Sequence, residues 1–445
     1  MEFIAAIPLI GGALSVILPF LMVLGIVVFV HEYGHYIVGR WCGIHAEVFS
    51  VGYGKPLKTW TDKRGTIWQI AVLPLGGYVK FLGDADAASG KDGETMGSLS
   101  EAELKRTMHG AALWRRSATV AAGPVFNFIL SILVFAGIFM VSGAVEDEAV
   151  IGEVKPNPGA VELFEPGDRL LEVGGETVED LASFYQIARA TEPAAEVSYL
   201  VERDGQERAF DSVYPFPPVL DQLQPQSAAM DAGLQVGDVI TSVDGTPVYS
   251  LSQVQELVQD GAGASVELGV WRAGEDLSVT LTPRQRDLPQ ADGGFETRWL
   301  IGFTGGAFFE PPRFTLGVME AISGGAAQTW FVVTSSLSGL WHMATGAISS
   351  CNIQGPIGIA QTSGDMASQG LQEFIWFIAV LSTAVGLLNL FPIPVLDGGH
   401  LVFHAYEAVA GQPPSDKALN VMMTTGLVLL LSLMVFALSN DLLCP

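Results

Sequence analysis

The chain is 445 residues long with a mean hydropathy of +0.39, and only 16% of its residues are Asp, Glu, Lys or Arg. That composition excludes a wholly water-soluble protein, while the length leaves room for several domains. With 47 acidic against 22 basic residues the formal net charge is −25, which argues against nucleic-acid binding.

Four segments, 5–30, 117–145, 374–396 and 419–440, are apolar enough to cross a bilayer and near the ~20 residues a span requires. The first follows Met1-Glu2, without the basic stretch of a cleaved signal peptide. Between positions 143 and 370 there are 32 acidic and 10 basic residues, whereas between 40 and 116 there are 8 acidic and 11 basic. Lys and Arg mark cytoplasmic flanks, and Arg40, Arg115 and Arg116 stand at span ends. The first loop is therefore expected inside, with the N-terminus and the acidic block outside. That acidity also keeps an extracytoplasmic domain soluble.

At the end of the first span stands His31-Glu32-Tyr33-Gly34-His35. Two histidines four apart share one helix face and can bind one metal ion, with Glu32 as a base toward water activated by it. Ionisable groups at the end of an apolar run are costly, so this pattern reads as a zinc site at membrane depth. Residues 41–116 follow as a cytoplasmic, membrane-associated element. Alternation over 46–54, a turn at 62–65, and apolar runs over 66–73 and 76–81 predict a small β-element beside the metal-bearing helix. It is either a structural hairpin or a sheet edge that holds an unwound substrate by strand addition. The small, acidic, Gly-rich stretch 85–100 reads as a mobile loop. In the second span Asn127 is either a site residue or an interhelical hydrogen-bonding group, the second being the preferred reading.

The acidic block contains a repeat. Residues 165–178 and 235–248 share a Gly-Asp turn (Gly167-Asp168, Gly237-Asp238), an apolar strand and a second turn, followed by a helix such as 251–259. Both copies resemble the PDZ domain, the first more loosely, with Gly174 where the second has Asp244. The resemblance implies two inserted α+β modules, 146–214 and 215–285. They either capture peptide termini on a sheet edge or filter substrates by size.

Residues 286–370 are expected as a linker with amphipathic helices. Within it, 321–348 has the hydropathy of a fifth span but is expected to lie as an interfacial helix on the outer side. Its small residues Gly324, Gly325, Ala326 and Ala327 would face the spans. The third span is placed at 371–397 and ends in Asn389-Leu390-Phe391-Pro392-Ile393-Pro394-Val395-Leu396-Asp397-Gly398-Gly399. Its two prolines break the helix. A catalytic zinc takes three protein ligands, and the His expected at the metzincin spacing is absent, since Val38 and Trp41 occupy the needed positions. Cys42 is too far along the helix to share an ion with His35. Asp397 is the best remaining candidate, with His400 and His404 as runners-up near solvent. A cytoplasmic loop, 398–418, and the fourth span complete the chain.

Of the three cysteines, Cys42 is expected inside and Cys351 and Cys444 outside. Only the latter two can pair, and their separate elements argue against a disulfide.

The His31–His35 motif in a first span, the two repeats and the 389–399 motif together resemble the site-2 protease family over essentially the whole chain. The resemblance implies a polytopic α-helical membrane protein with four spans, His31, His35 and Asp397 as Zn2+ ligands, and Glu32 as general base. Asn389 would help to hold substrate or the developing oxyanion. It also implies cleavage of single-span membrane proteins in a bacterial inner membrane. Those substrates would be an anti-sigma factor in envelope-stress signalling, or signal-peptide remnants. The alternatives are a catalytically silent membrane scaffold, which leaves His31, Glu32 and Asp397 unexplained, and a zinc transporter, which leaves Glu32 and the repeats unexplained.

Overall fold

The computed structural model describes residues 11–85, 93–158, 163–289 and 295–444 and divides into two compact units. One holds residues 1–139, 318–345 and 350–444; the other holds 140–317 and 346–349. Residues 5–10 of the first expected span, 159–160 before the first repeat and 86–92 of the expected loop lie outside the described residues. Residues Gly93–Ser98 of that loop form a short helix instead.

The first unit is a helical bundle. Among the described residues, four helices are long and apolar enough to cross a membrane. These are α1 (Gly11–Trp41), α2 (Leu113–Ser142), α7 (Leu371–Asn389) and α9 (Asp416–Leu443). The first three pack through a stripe of residues four apart, the spacing that keeps side chains on one helix face. On α1 the stripe is Pro19, Val23, Val27 and His31, so the first histidine simply continues an apolar row. On α2 it is polar and small, running through Thr119, Gly123, Asn127 and Ser131. On α7 it is Phe374, Ile378, Ser382 and Gly386. Helices α2 and α7 are joined by hydroxyls, Ser131 Oγ donating to the Ala379 carbonyl (2.8 Å) and Ser382 Oγ to the Asn127 carbonyl (2.9 Å). Such bonds replace the hydrophobic drive that lipid does not supply.

Between α1 and α2 the chain forms β1 (Ala46–Thr61) and β2 (Ile67–Phe81). Residues 48–51 register against both 67–70 and 77–80, so the two long strands fold back into one small curved sheet. Its inner part packs on α1 through Tyr36, Phe49, Val79 and Phe81. The Asp62 carboxylate closes the turn and accepts Tyr36 Oη (2.9 Å) and the amides of Arg64 (2.8 Å) and Thr66 (3.0 Å). The outer part leaves Tyr53, Leu57, Trp60, Ile70 and Leu73 exposed.

The second unit contains two modules of identical topology. In the first, β3 (Arg169–Val173), β4 (Glu176–Thr177), β5 (Val197–Arg203) and β6 (Gln206–Ser212) form a sheet in the order β4-β3-β5-β6, with helix α3 (Leu181–Ala190). In the second, β7 (Val239–Val243), β8 (Thr246–Pro247), β9 (Val266–Arg272) and β10 (Glu275–Leu281) repeat it as β8-β7-β9-β10, with α4 (Leu251–Asp260). Each Gly-Asp turn ends on a bidentate Arg, Arg203 on Asp168 and Arg272 on Asp238, all four bonds 2.6 Å. Where the copies differ, Gly174 (φ 61°) and Asp244 (φ 49°) take the same left-handed conformation. The substitution therefore leaves the turn intact.

The stretch after the second module is not a plain linker. Strands β11 (Arg284–Pro289) and β12 (Phe295–Leu300) form a hairpin. The chain then runs back over both modules. Phe303–Thr304 pairs with Gln222–Leu223, Phe309–Glu310 with Glu153–Val154, and Arg313–Phe314 with Ala144–Val145. Ala307, Phe308 and Phe309 sit in the core of the first module and Ile301 in that of the second.

Back in the bundle, α5 (Val318–Ala344) packs a small-residue face, Ala321, Gly325 and Thr329. A side chain at Gly325 would meet the Ile132 carbonyl and Ala136 of α2. Ala326 and Ala327 face away, with Trp330, Phe331 and Trp341 also exposed. Helix α6 (Pro356–Gln369) lies along α1, with Gly364 against Ser15 and Val16. Residues 398–418, expected as a loop, carry helix α8 (Asp397–Ala410). Cys351 and Cys444 form a disulfide, with their Cα atoms 5.6 Å apart. The expectation that separate elements would keep them apart was wrong. The Asn440 side chain donates to the Ser350 carbonyl (2.7 Å) and brings the two segments together.

Candidate metal centre

α1 passes close to α2 because Gly34 and Gly39 lack side chains where Ala122, Thr119 and Phe81 approach. That approach seats His31 and His35 against the polar stripe of α2. His35 Nδ1 lies 2.9 Å from the Thr119 carbonyl, which fixes the ring with Nε2 turned the other way. His31 Nδ1 lies 3.2 Å from the Asn127 side chain.

Asp397 arrives from the far end of the sequence. α7 stops at Asn389, Pro392 and Pro394 prevent its continuation, and Leu396 is extended at the start of α8. Asp397 is therefore the first residue of a new helix rather than the end of the third span. Any side chain at Gly398 would strike the carbonyls of Leu390 and Phe391, and one at Gly399 the backbone of Ile393 and Pro394. The reversal needs both glycines, and it aims the carboxylate back at α1. α8 is fixed to α2 by the Arg116–Glu407 ion pair and a Ser117 Oγ···His404 Nδ1 contact of 3.2 Å.

Three candidate ligand atoms converge. His31 Nε2 lies 3.2 Å from His35 Nε2 and 3.1 Å from Asp397 Oδ2, and His35 Nε2 lies 3.5 Å from that oxygen. Ligands about 2.0–2.1 Å from a tetrahedral zinc stand roughly 3.3 Å from one another, which these edges bracket. Asp397 Oδ2 is buried yet aligned for no hydrogen bond. On the α2 side the cradle is kept open by Gly123, where a Cβ would lie 2.8 Å from His31 Cε1 and nearer still to His35 Nε2. Two imidazoles, a carboxylate and a space with no side chain suit a zinc ion with a remaining position for water.

Glu32, adjacent to this trio, is covered by the sheet. A Cβ at Gly77 would lie 3.0 Å from its Cγ, and the Val79 backbone faces its carboxylate. The remaining sequence candidates fall elsewhere. Asn389 donates to the Val385 carbonyl of its own helix (3.0 Å), and no hydrogen bond joins it to His31, Glu32, His35 or Asp397. His404 is engaged with Ser117, and Cys42 is buried and free in the cluster beneath the sheet. Asn127 sits on the His31 ring. The polar, four-residue period of α2 is the signal that could have pointed to it.

A family model described as peptidase family M50 matches residues 19–433. A provisionally named zinc metalloprotease of Agrobacterium fabrum is 36% identical over 435 residues, covering 97% of this chain and 96% of that one. The regulator of sigma-E protease of Escherichia coli is 34% identical over 456 residues, covering 95% and 97%. Its Salmonella typhimurium counterpart is 34% identical over 453 residues, with the same coverage.

Proposed function

The chain belongs to peptidase family M50 and is a membrane metalloprotease of the site-2 type, and we propose that it hydrolyses peptide bonds within the membrane-spanning segments of single-span proteins. The observation that carries this reading is the convergence of His31, His35 and Asp397 beside Glu32 in a bundle of apolar helices. In this reading the two imidazoles and the carboxylate are the ligands of a zinc ion. When bound, zinc supplies a Lewis acid that polarises the scissile carbonyl and makes water acidic enough to lose a proton near neutral pH. Glu32 takes that proton and delivers it to the leaving amine. The sheet over Glu32 offers extended backbone beside it, suited to holding a substrate whose own helix has opened.

The orientation follows from the charges flanking the spans, with the metal centre near the cytoplasmic face of a bacterial inner membrane and the acidic modules outside. The duplicated modules are read as PDZ-like, on their shared sheet order and helix placement. Two relatives are named regulator of sigma-E protease, and the substrate class is read as a membrane-anchored regulator such as an anti-sigma factor, with signal-peptide remnants as a second class. Asn389 is retained as a group that reaches substrate once one is bound. Cleavage of a model membrane substrate tests the reading. Glu32→Gln is expected to keep one zinc per chain and lose cleavage by orders of magnitude, while Asp397→Ala loses both. A Glu32→Gln protein that still cleaves would remove the proposed base, and a scaffold or transporter would show no cleavage in the parent protein.

A further inference from the structure

We propose that Asn127 is a positioning residue of the metal centre, its side-chain carbonyl accepting the Nδ1–H of His31; this rests on the zinc reading above. A histidine that ligates through Nε2 carries its proton on Nδ1, and the acceptor of that proton fixes both tautomer and ring angle. For His35 the acceptor is the Thr119 carbonyl, 2.9 Å away. For His31 the group at Nδ1 is the Asn127 amide, whose Nδ2 stands 3.2 Å off while its Oδ1 is buried without a partner.

Read literally, this places a donor against a donor and strands an acceptor inside a side chain that is 0% exposed. A half-turn of the amide exchanges its nearly isosteric ends: it gives Oδ1 a partner in His31 Nδ1–H and moves Nδ2 to the buried position that Oδ1 held. Oδ1 then receives His31 Nδ1–H, and Nε2 keeps the lone pair that points at His35 Nε2 and Asp397 Oδ2. The contacts of Asn127 with α7 do not require its amide. The hydrogen bond to α7 runs through its backbone carbonyl, which accepts Ser382 Oγ at 2.9 Å, as well as Ser131 Oγ of its own helix at 3.0 Å. An interhelical role is thus met by the main chain, which leaves the side chain to His31.

The test measures Zn2+ affinity of the purified full-length protein by competition with a chelating dye, with no substrate present. Removing such an acceptor lowers metal affinity by roughly 10–100-fold, the effect expected of Asn127→Leu. Asn127→Asp, which keeps an acceptor in place, is expected to bind zinc close to the parent level. Thermal unfolding of each metal-free variant shows whether it folds, and Asn127→Ala replaces the leucine variant if that one does not. Parent-like zinc affinity in both apolar variants would overturn the proposal, as would an aspartate variant as weak as they are. His31→Ala is the control: if it too retained zinc, the metal reading itself would fail, whatever Asn127 did.

Discussion

Asp62 joins the sheet to the helix that carries the metal-site histidines. Burial pushes its carboxyl up, but hydrogen bonds from Tyr36, Thr66 and Trp68 and the charge of Arg40 outweigh that and hold it below its ordinary value. A carboxylate depressed in the folded state contributes stability above its unfolded pKa of about 4, and loses it as pH falls through the folded value. The thermal stability of Asp62→Asn is therefore expected to lie below that of the parent at pH 7, with the gap closing as pH drops through the acid range. A gap that did not change with pH would show that the charge is not what holds the turn. At this scale the sequence is informative where chemistry and spacing coincide. His31, Glu32 and His35 stand out because four residues make one helix face, and Asp397 because it follows the Pro-x-Pro that breaks the third apolar span. The two asparagines were less legible. Asn389 bonds its own helix and Asn127 a ring 96 residues away, a difference marked locally only by the polar period around Asn127.

Elements were legible where apolar periodicity persists and illegible where glycine or distance decides. α8 was read as a loop because Pro392, Pro394, Gly398 and Gly399 look like punctuation. They are the means by which a new helix starts within contact of its predecessor. The returning strands of 303–314 are not legible locally because their partners lie up to about 170 residues earlier in the chain. α6 shows a similar long-range dependence at its start. No side chain of its own caps it; the Asp441 carboxylate of α9 accepts the amides of Gly355 (2.7 Å) and Ile357 (3.0 Å). Losing one capping side chain costs about 1 kcal/mol, so Asp441→Ala is expected to lower stability by ~1–2 kcal/mol. Asp441→Asn, which keeps acceptor capacity, should recover part of that loss in the same thermal unfolding measurement.

At the scale of the whole chain, α5 decides the number of crossings. It begins against the C-terminal half of α2, at Phe139 and Ala136. It leads into residues 350–353, which are held at the C-terminal end of α9 by Asn440 and the disulfide. Gly426 of α9 packs on Pro394 near the metal centre, and Asn440 is 14 residues further on, about 21 Å along a helix. Both ends of α5 thus belong to the face of the bundle remote from the metal site, the placement expected of a helix that does not cross the membrane. Cysteines placed near Gly370, and the native Cys351–Cys444 pair, are expected on the outer, oxidising side. In intact cells an impermeant thiol reagent should reach the former directly and the latter only after reduction, while Cys42 stays unlabelled. Labelling near Gly370 from the cytoplasmic side alone would require a fifth span and would separate Asp397 from both histidines.

The returning segment carries a further consequence, one of timing. Phe308 and Phe309 complete the core of a module whose first strands begin before residue 175, and Ile301 completes the core of the next. During synthesis neither core can close when its own strands have emerged. The amino-terminal module must wait until residue 309 has left the ribosome, by which time the second module has also been synthesised in full. Ordinary domains fold one after another as they appear. These two are obliged to finish together, so a nascent chain halted anywhere between 215 and 300 would expose two unfinished cores rather than one finished domain.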